Sequence, residues 1–272
     1  MELDGFSQLP EPASIPEARA SATIVIARDG PGGLELFMLE RHIQSEFAGG
    51  AFVFPGGTLD DGDLDTALAG LVDGWETLAE DMGEDDAELA RALMVCAIRE
   101  TFEEAGILLA RTTEGAPVDL SGPRWSEWRA AVDAGEMSAA VLAKAAGIRY
   151  AADELRFWQR WVTPIHAPKR YDTRFFIARL PDGQVPLHDA VETTGSAWIS
   201  PADALAKAEA GAFTIVFPTR KALESLAPFS STDALLAAAV GRPNQPVLPR
   251  LLTRGAEVRI QVPPDETLQI PW

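Results

Sequence analysis

Arg99-Glu100-Thr101-Phe102-Glu103-Glu104-Ala105-Gly106-Ile107 carries three carboxylates at i, i+3 and i+4 of a run that reads as a helix over residues 90–105. At about 3.6 residues per turn these positions share one face, with neighbours roughly 5–6 Å apart. Like charges that close repel, and a hard divalent cation turns the repulsion into binding because it takes carboxylate oxygens. Gly106 ends the helix where a left-handed cap is wanted. A solvated acidic face, with Arg99 paired to Glu103 at i+4, is the plainer reading of the same residues.

Upstream, Ala51-Phe52-Val53-Phe54 reads as a short strand ended by Pro55-Gly56-Gly57 and followed by Thr58-Leu59-Asp60-Asp61-Gly62-Asp63. Paired glycines let a backbone approach a ligand closely, although an ordinary strand-to-loop turn would use them too. Residues 64–86 are acidic and partly helical in pattern, with Leu64, Leu68, Leu71, Trp75 and Leu78 at three- and four-residue steps. Asp85 or Asp86 is the N-cap of the carboxylate helix.

Further out, residues 1–20 hold three prolines and read as a surface arm. Residues 22–27 form a buried strand, and residues 34–41 form its hairpin partner across a Gly/Pro turn. After the helix come a strand at 107–110, a polar loop at 112–123 and short helices at 124–134 and 138–146. Strands follow at 156–163, 173–180 and 193–199, then helices at 201–210 (N-cap Ser200), 218–226 and 232–240. The tail is proline-rich, with one strand at 258–262. This interleaving predicts an α/β fold, a mixed sheet covered by helices on both faces.

The 272 residues suffice for one domain with insertions or two small ones. A hydrophobic share of 47% and a mean hydropathy near zero describe a soluble globular chain. No apolar run reaches the roughly 18 residues of a membrane span, and neither end carries a targeting pattern, so a cytoplasmic location is expected. A net charge of −18 argues against nucleic-acid binding, which needs cations at phosphates. The single cysteine, Cys96, lies among apolar helix positions and reads as a small buried residue.

Phe54-Pro55-Gly56-Gly57 followed by Arg99-Glu100-Thr101-Phe102-Glu103-Glu104-Ala105-Gly106-Ile107 resembles the signature of the Nudix hydrolases. That box runs Gly-x5-Glu-x7-Arg-Glu-U-x-Glu-Glu-x-Gly-U, with U a bulky apolar residue. Gly57 takes the glycine position, Asp63 the first glutamate, and Thr101 the first U. The 35 residues 64–98 stand where the family has seven, an insertion of 28. An insertion at this point resembles the branch containing peroxisomal coenzyme A diphosphatases. Thr163-Pro164, Arg170-Tyr171-Asp172-Thr173-Arg174-Phe175-Phe176, Glu192 with Trp198, and Phe217-Pro218-Thr219 are similar to it as well. Gly50 before Phe54-Pro55-Gly56-Gly57, with Arg41 upstream, matches part of a motif linked to CoA recognition, although its second arginine is absent.

The resemblance implies a Nudix-type mixed sheet between helices, with a domain at 21–227, insertions at about 64–91 and 112–156, and a C-terminal segment at 228–272. It implies hydrolysis of a diphosphate linkage in a nucleoside-diphosphate compound, CoA and acyl-CoA included, with Mg²⁺ or Mn²⁺ as cofactor. Glu103 and Glu104 would be the principal metal ligands, and Glu100 a third ligand or the general base. Gly57 would offer its backbone to the metal, and Arg99 would hold a glutamate in place by a bidentate contact. Glu192 is a candidate further base, or else a solvated loop residue. Arg41, Arg170 and Arg174, with Lys169, are the cations that could meet the substrate, surface ion pairs being their other reading. Trp125, Trp128, Trp158 and Trp161 read as core or as a stacking partner for adenine. The implied partner is a small molecule, with no nucleic acid or membrane; a homodimer stays open. A non-catalytic module that senses a nucleotide metabolite is the alternative, and its room lies in the insertion and Asp63.

Overall fold

Residues 24–27 and 36–39 are apolar at every position and buried, which makes the centre of a strand pair covered from above and below. The computed structural model describes residues 6–42, 49–187, 193–262 and 266–269. The first strands are β1 (Ser7–Gln8), β2 (Ala18–Gly30), β3 (Gly33–Arg41), β4 (Ala51–Val53) and β5 (Gly56–Thr58). There follow β6 (Val72–Asp73), β7 (Ala110–Thr112), β8 (Ile148–Ala151), β9 (Arg156–Val162) and β10 (Arg170–Arg179). The last are β11 (Thr193–Ile199), β12 (Thr214–Ile215), β13 (Arg250–Arg254), β14 (Glu257–Val262) and β15 (Glu266–Gln269). The helices are α1 (Trp75–Met82), α2 (Ala87–Ala105), α3 (Pro123–Asp133), α4 (Ala139–Ala146), α5 (Pro201–Glu209), α6 (Phe217–Leu226) and α7 (Thr232–Ala239).

The central sheet is mixed, in the order β12-β4-β3-β2-β10-β9, with β11 also on β3 and β5 also on β2. β10 runs parallel to β2, and β3 and β5 run antiparallel to it. Alternate residues divide two cores. Ala22, Ile24, Ile26 and Phe176 pack with Leu93, Cys96 and Phe102 of α2, while Val25, Phe175 and Ile177 pack with Leu223 of α6 and Leu235 of α7. The expected sheet between helical layers is therefore present.

The helix α2 is buried on almost every side, so its sequence lacks the one-sided stripe of a surface helix. Asp86 is its N-cap, with the carboxylate accepting from the amides of Glu88 (3.0 Å) and Leu89 (3.1 Å). Gly106 is left-handed at φ 63° and closes the helix. The second cover comes from the two inserted stretches, which join each other through the sheet β6-β8-β7. Tyr150 seals that layer, its buried hydroxyl donating to the Ala139 carbonyl at 2.7 Å.

Some local expectations are corrected. Residues 107–110 are expected as a strand, but β7 starts only at Ala110, because the Gln184 side-chain amide takes both the amide and the carbonyl of Leu108. Gly56 and Gly57, expected in a turn, pair with Thr23 and Ala22 as β5. The surface arm and proline-rich tail meet in a second sheet, β1-β13-β14-β15, and residues 18–20 of the arm already belong to β2. Pairings between the two chain ends carry no local pattern.

Candidate active site

Arg99 is the hub of the split motif. It is 9% exposed, and Asp63, fully buried, grips its guanidinium with both oxygens: Oδ1 to Nε and Oδ2 to Nη2, each 2.9 Å. Such a fork-to-fork pair is the strong geometry for arginine and carboxylate. Nη1 turns the other way and donates to Glu100 Oε1 at 3.0 Å and to Glu103 Oε2 at 2.9 Å. Nη2 also reaches the Thr58 carbonyl at 3.3 Å. Asp63 is aimed by its own turn, in which Asp60 Oδ1 accepts from the amides of Gly62 and Asp63. The 35 intervening residues thus leave the two halves of the motif in direct contact.

The glycine pair supplies the other wall. Glu104 Oε2 accepts the Gly56 amide at 2.9 Å. A Cβ at Gly57 would fall 2.3 Å from the Glu100 carboxylate, so only a glycine leaves room for that side chain. Cys96 Sγ donates to the Gly57 carbonyl at 3.7 Å, and burial raises its thiol well above the usual range, which keeps it protonated. The oxygens on these walls, from three glutamates and a glycine backbone, are hard donors of the kind a divalent cation takes. Among the described residues no three acidic, histidine or cysteine side chains already close on one point, because Glu100 and Glu103 are turned to Arg99.

Burial governs the charges. Desolvation pushes the Glu103 carboxyl up to about 7, against the pull of Arg99 and with the help of Glu100. Burial would lower Arg99, but the Asp63 hydrogen bond and charge raise it further, so it stays protonated. Arg129 of α3 was not singled out by sequence. Its Nε donates to the Glu103 carbonyl at 2.9 Å, placing a cation at the negative end of α2. No sequence spacing links residue 129 to the motif.

The proposed cations separate. Arg41 ends β3, with its Nε buried and without a hydrogen-bond partner among the described residues. Arg170 donates to the carbonyls of Thr163 (3.1 Å) and Pro16 (2.7 Å). Arg174 is 3% exposed and bridges Glu84 (2.7 Å) to Asp172 (2.9 Å), bracing the α1–α2 connection on the sheet. Among the described contacts, neither Arg170 nor Arg174 reaches Glu100, Glu103 or Glu104. Glu192 lies outside the described residues; on either side of that gap, the Leu187 amide reaches the Ala105 carbonyl and Thr193 is in register with Arg41. Trp158 and Trp161 are buried, while His166 Nε2 lies 3.0 Å from the Pro10 carbonyl.

The family model described as the NUDT19 Nudix domain matches residues 77–219, just over half of the chain. The chain belongs to the Nudix family. A Nudix hydrolase from Alicyclobacillus acidocaldarius is 28% identical, with a TM-score of 0.68 over 85% of this chain and 100% of that one. Two curated relatives are named acyl-coenzyme A diphosphatase NUDT19. The human protein is 27% identical over 254 residues, covering 77% of this chain and 65% of its own length. The chicken protein is 28% identical over 269 residues, covering 80% and 70%. The chain thus spans about two thirds of the length of these relatives. No helix among the described residues is long and apolar enough to cross a membrane.

Proposed function

We propose that this Nudix protein is a metal-dependent pyrophosphohydrolase acting on nucleoside-diphosphate compounds, with CoA and acyl-CoA as the favoured class. The observation that carries the reading is the bidentate Asp63–Arg99 pair, which keeps Arg99 in contact with Glu100 and Glu103. A solvated acidic face would not build a buried anchor for its arginine. The names of the relatives supply the acyl-CoA class.

Glu103 and Glu104 would hold Mg²⁺ or Mn²⁺, with Glu100 as a third ligand or as the base that takes a proton from the attacking water. The bound ion would supply charge screening at the phosphates and a more acidic water. Arg99 orients Glu100 and Glu103, the Gly56 amide fixes Glu104, and Arg41 would meet a substrate phosphate. A panel of CoA esters, dinucleotides and nucleotide sugars, read by mass spectrometry with Mg²⁺ or Mn²⁺, tests the reading. It should yield phosphorylated products from one class, cut between the phosphorus atoms, and none with a chelator present. Metabolite binding that survives chelation, with no turnover anywhere in the panel, would instead establish the sensor alternative.

Gly57→Ala isolates the role of the glycine. Its backbone is not in the left-handed region and the obstructing atoms are the tip of Glu100, so the fold should absorb the methyl group. Displacing that carboxylate by about 1 Å should cost on the order of 10²-fold in turnover. A melting temperature near wild type with turnover intact would refute the cradle.

A further inference from the structure

On the face of the sheet opposite α2 lies a cavity of about 770 Å³. Its walls come from separate segments: Trp161 of β9, Pro164 of the β9–β10 connection, Tyr171 and Phe175 of β10, Phe217 of α6 and Ile260 of β14. Lys169 is the single charged residue among those lining it. Trp161 and Phe217 meet edge to face at 5.9 Å, which stiffens the wall. A hollow of about 600 Å³ elsewhere is lined instead by acidic and basic side chains, Glu84, Asp172, Arg160 and Arg174 among them. The size and lining of the apolar cavity fall in the range of small-molecule sites, roughly 300–1,000 Å³ with mostly apolar walls.

The cavity and the glutamate site lie on opposite faces of the sheet but at neighbouring strands. Thr173 lines it, and the Thr173 hydroxyl is hydrogen-bonded to that of Ser21 at 2.7 Å. Ser21 is in register with Thr58, the residue after Gly57. Two strand spacings, about 10 Å, therefore separate the cavity wall from the strand of the glycine cradle. Among the described residues β5 pairs with β2 alone, so its outer edge is the way round the sheet. A substrate with its diphosphate at the glutamates needs a long arm to pass that edge, and the pantetheine arm of a CoA ester is such a linker.

We infer that this cavity holds the hydrocarbon chain of an acyl-CoA substrate, so that the enzyme selects acylated over free CoA by apolar burial. The inference rests on the proposed function for the identity of the chain's carrier, and on the cavity alone for the binding of a chain. Each methylene withdrawn from water is worth about fourfold in affinity, so a medium acyl chain offers a large selectivity.

Ala167→Trp tests this by filling the cavity from a half-buried surface turn, where the Ala167 amide reaches the Pro164 carbonyl. A fluorescent long-chain fatty acid should bind the full chain saturably, and Ala167→Trp should weaken it about tenfold or more. The ratio of kcat/KM for decanoyl-CoA over acetyl-CoA should fall by a similar factor. Phe217→Ala, which widens the cavity, should move the preference to longer chains. Equal fatty-acid binding by wild type and Ala167→Trp, or an unchanged ratio, would overturn the cavity assignment even in an active hydrolase. Fatty-acid binding that Ala167→Trp removes, in a protein that cleaves no diphosphate compound, would overturn the proposed function and with it the chain's assignment to a substrate.

Discussion

Replacing Arg99 with methionine should destabilise the metal-free protein by about 3–5 kcal/mol, because Asp63 would be left as a buried, uncompensated carboxylate. For a chain of this size that corresponds to a fall in melting temperature of about 10 °C, readable by calorimetry or circular dichroism. Glu100 and Glu103 would lose their shared donor at the same time, so added Mn²⁺ should restore part of the loss by replacing the missing positive charge. Arg99→Lys should fall between the two, since an ammonium cannot make the two parallel bonds of the fork. The double variant Arg99→Met with Asp63→Leu should recover stability relative to Arg99→Met alone. Melting of Arg99→Met within a degree or two of wild type would show that the pair is decoration and remove the main support for the proposed function.

Glu103→Gln should cut turnover by about 10³-fold or more, a barrier increase of about 4 kcal/mol, while leaving the fold intact. The amide keeps the shape and can still accept from Arg99, but it cannot ligate a cation as a carboxylate does. Stability should hold or rise, because a neutral amide escapes the desolvation that lifts Glu103 to about 7. The sign of the pH dependence follows from that shift. The folded-state value lies above the ordinary 4.5, so this group's stabilising contribution to the metal-free protein is fully present below about 4.5 and is lost as pH rises through 7. Metal binding runs the opposite way. Below pH 7 the ion must displace a proton, and its affinity should weaken about tenfold per unit as pH drops. Titration calorimetry across pH 5.5–8.5, with Glu103→Gln as the comparison, reads both effects. A flat metal affinity across that range, or full turnover in Glu103→Gln, would exclude Glu103 as a ligand.

The legible part of the site was the part written in short-range spacing. Helix α2, its Asp86 N-cap and its Gly106 terminus follow from local rules, as do the shared face of Glu100, Glu103 and Glu104 and the strand pair β2–β3. The two-faced sheet was legible as well, because strands apolar on both sides alternate with helical patterns. The resemblance put Asp63 and Arg99 in one motif but gave the bidentate contact of Arg99 to a glutamate; that Asp63 takes it came only from the fold, since 35 residues lie between them.

Other features belong to the tertiary structure alone. The two insertions are joined as the sheet β6-β8-β7, and one of them sends Arg129 to the end of α2. The chain ends pair as β1 with β13, and the glycines of the cradle become a strand edge rather than a turn. Arg170 and Arg174 stand four residues apart in the matching segment, yet their hydrogen bonds and ion pairs go to carbonyls and to Glu84 and Asp172, not to Glu100, Glu103 or Glu104. By itself the amino-acid order determined which carboxylates share one face and which helix carries them, because adjacent turns of one helix impose that proximity. Which arginine faces them, which glycine makes room, and where an apolar cavity opens were decided only by packing between distant segments, which leaves no periodic trace along the chain.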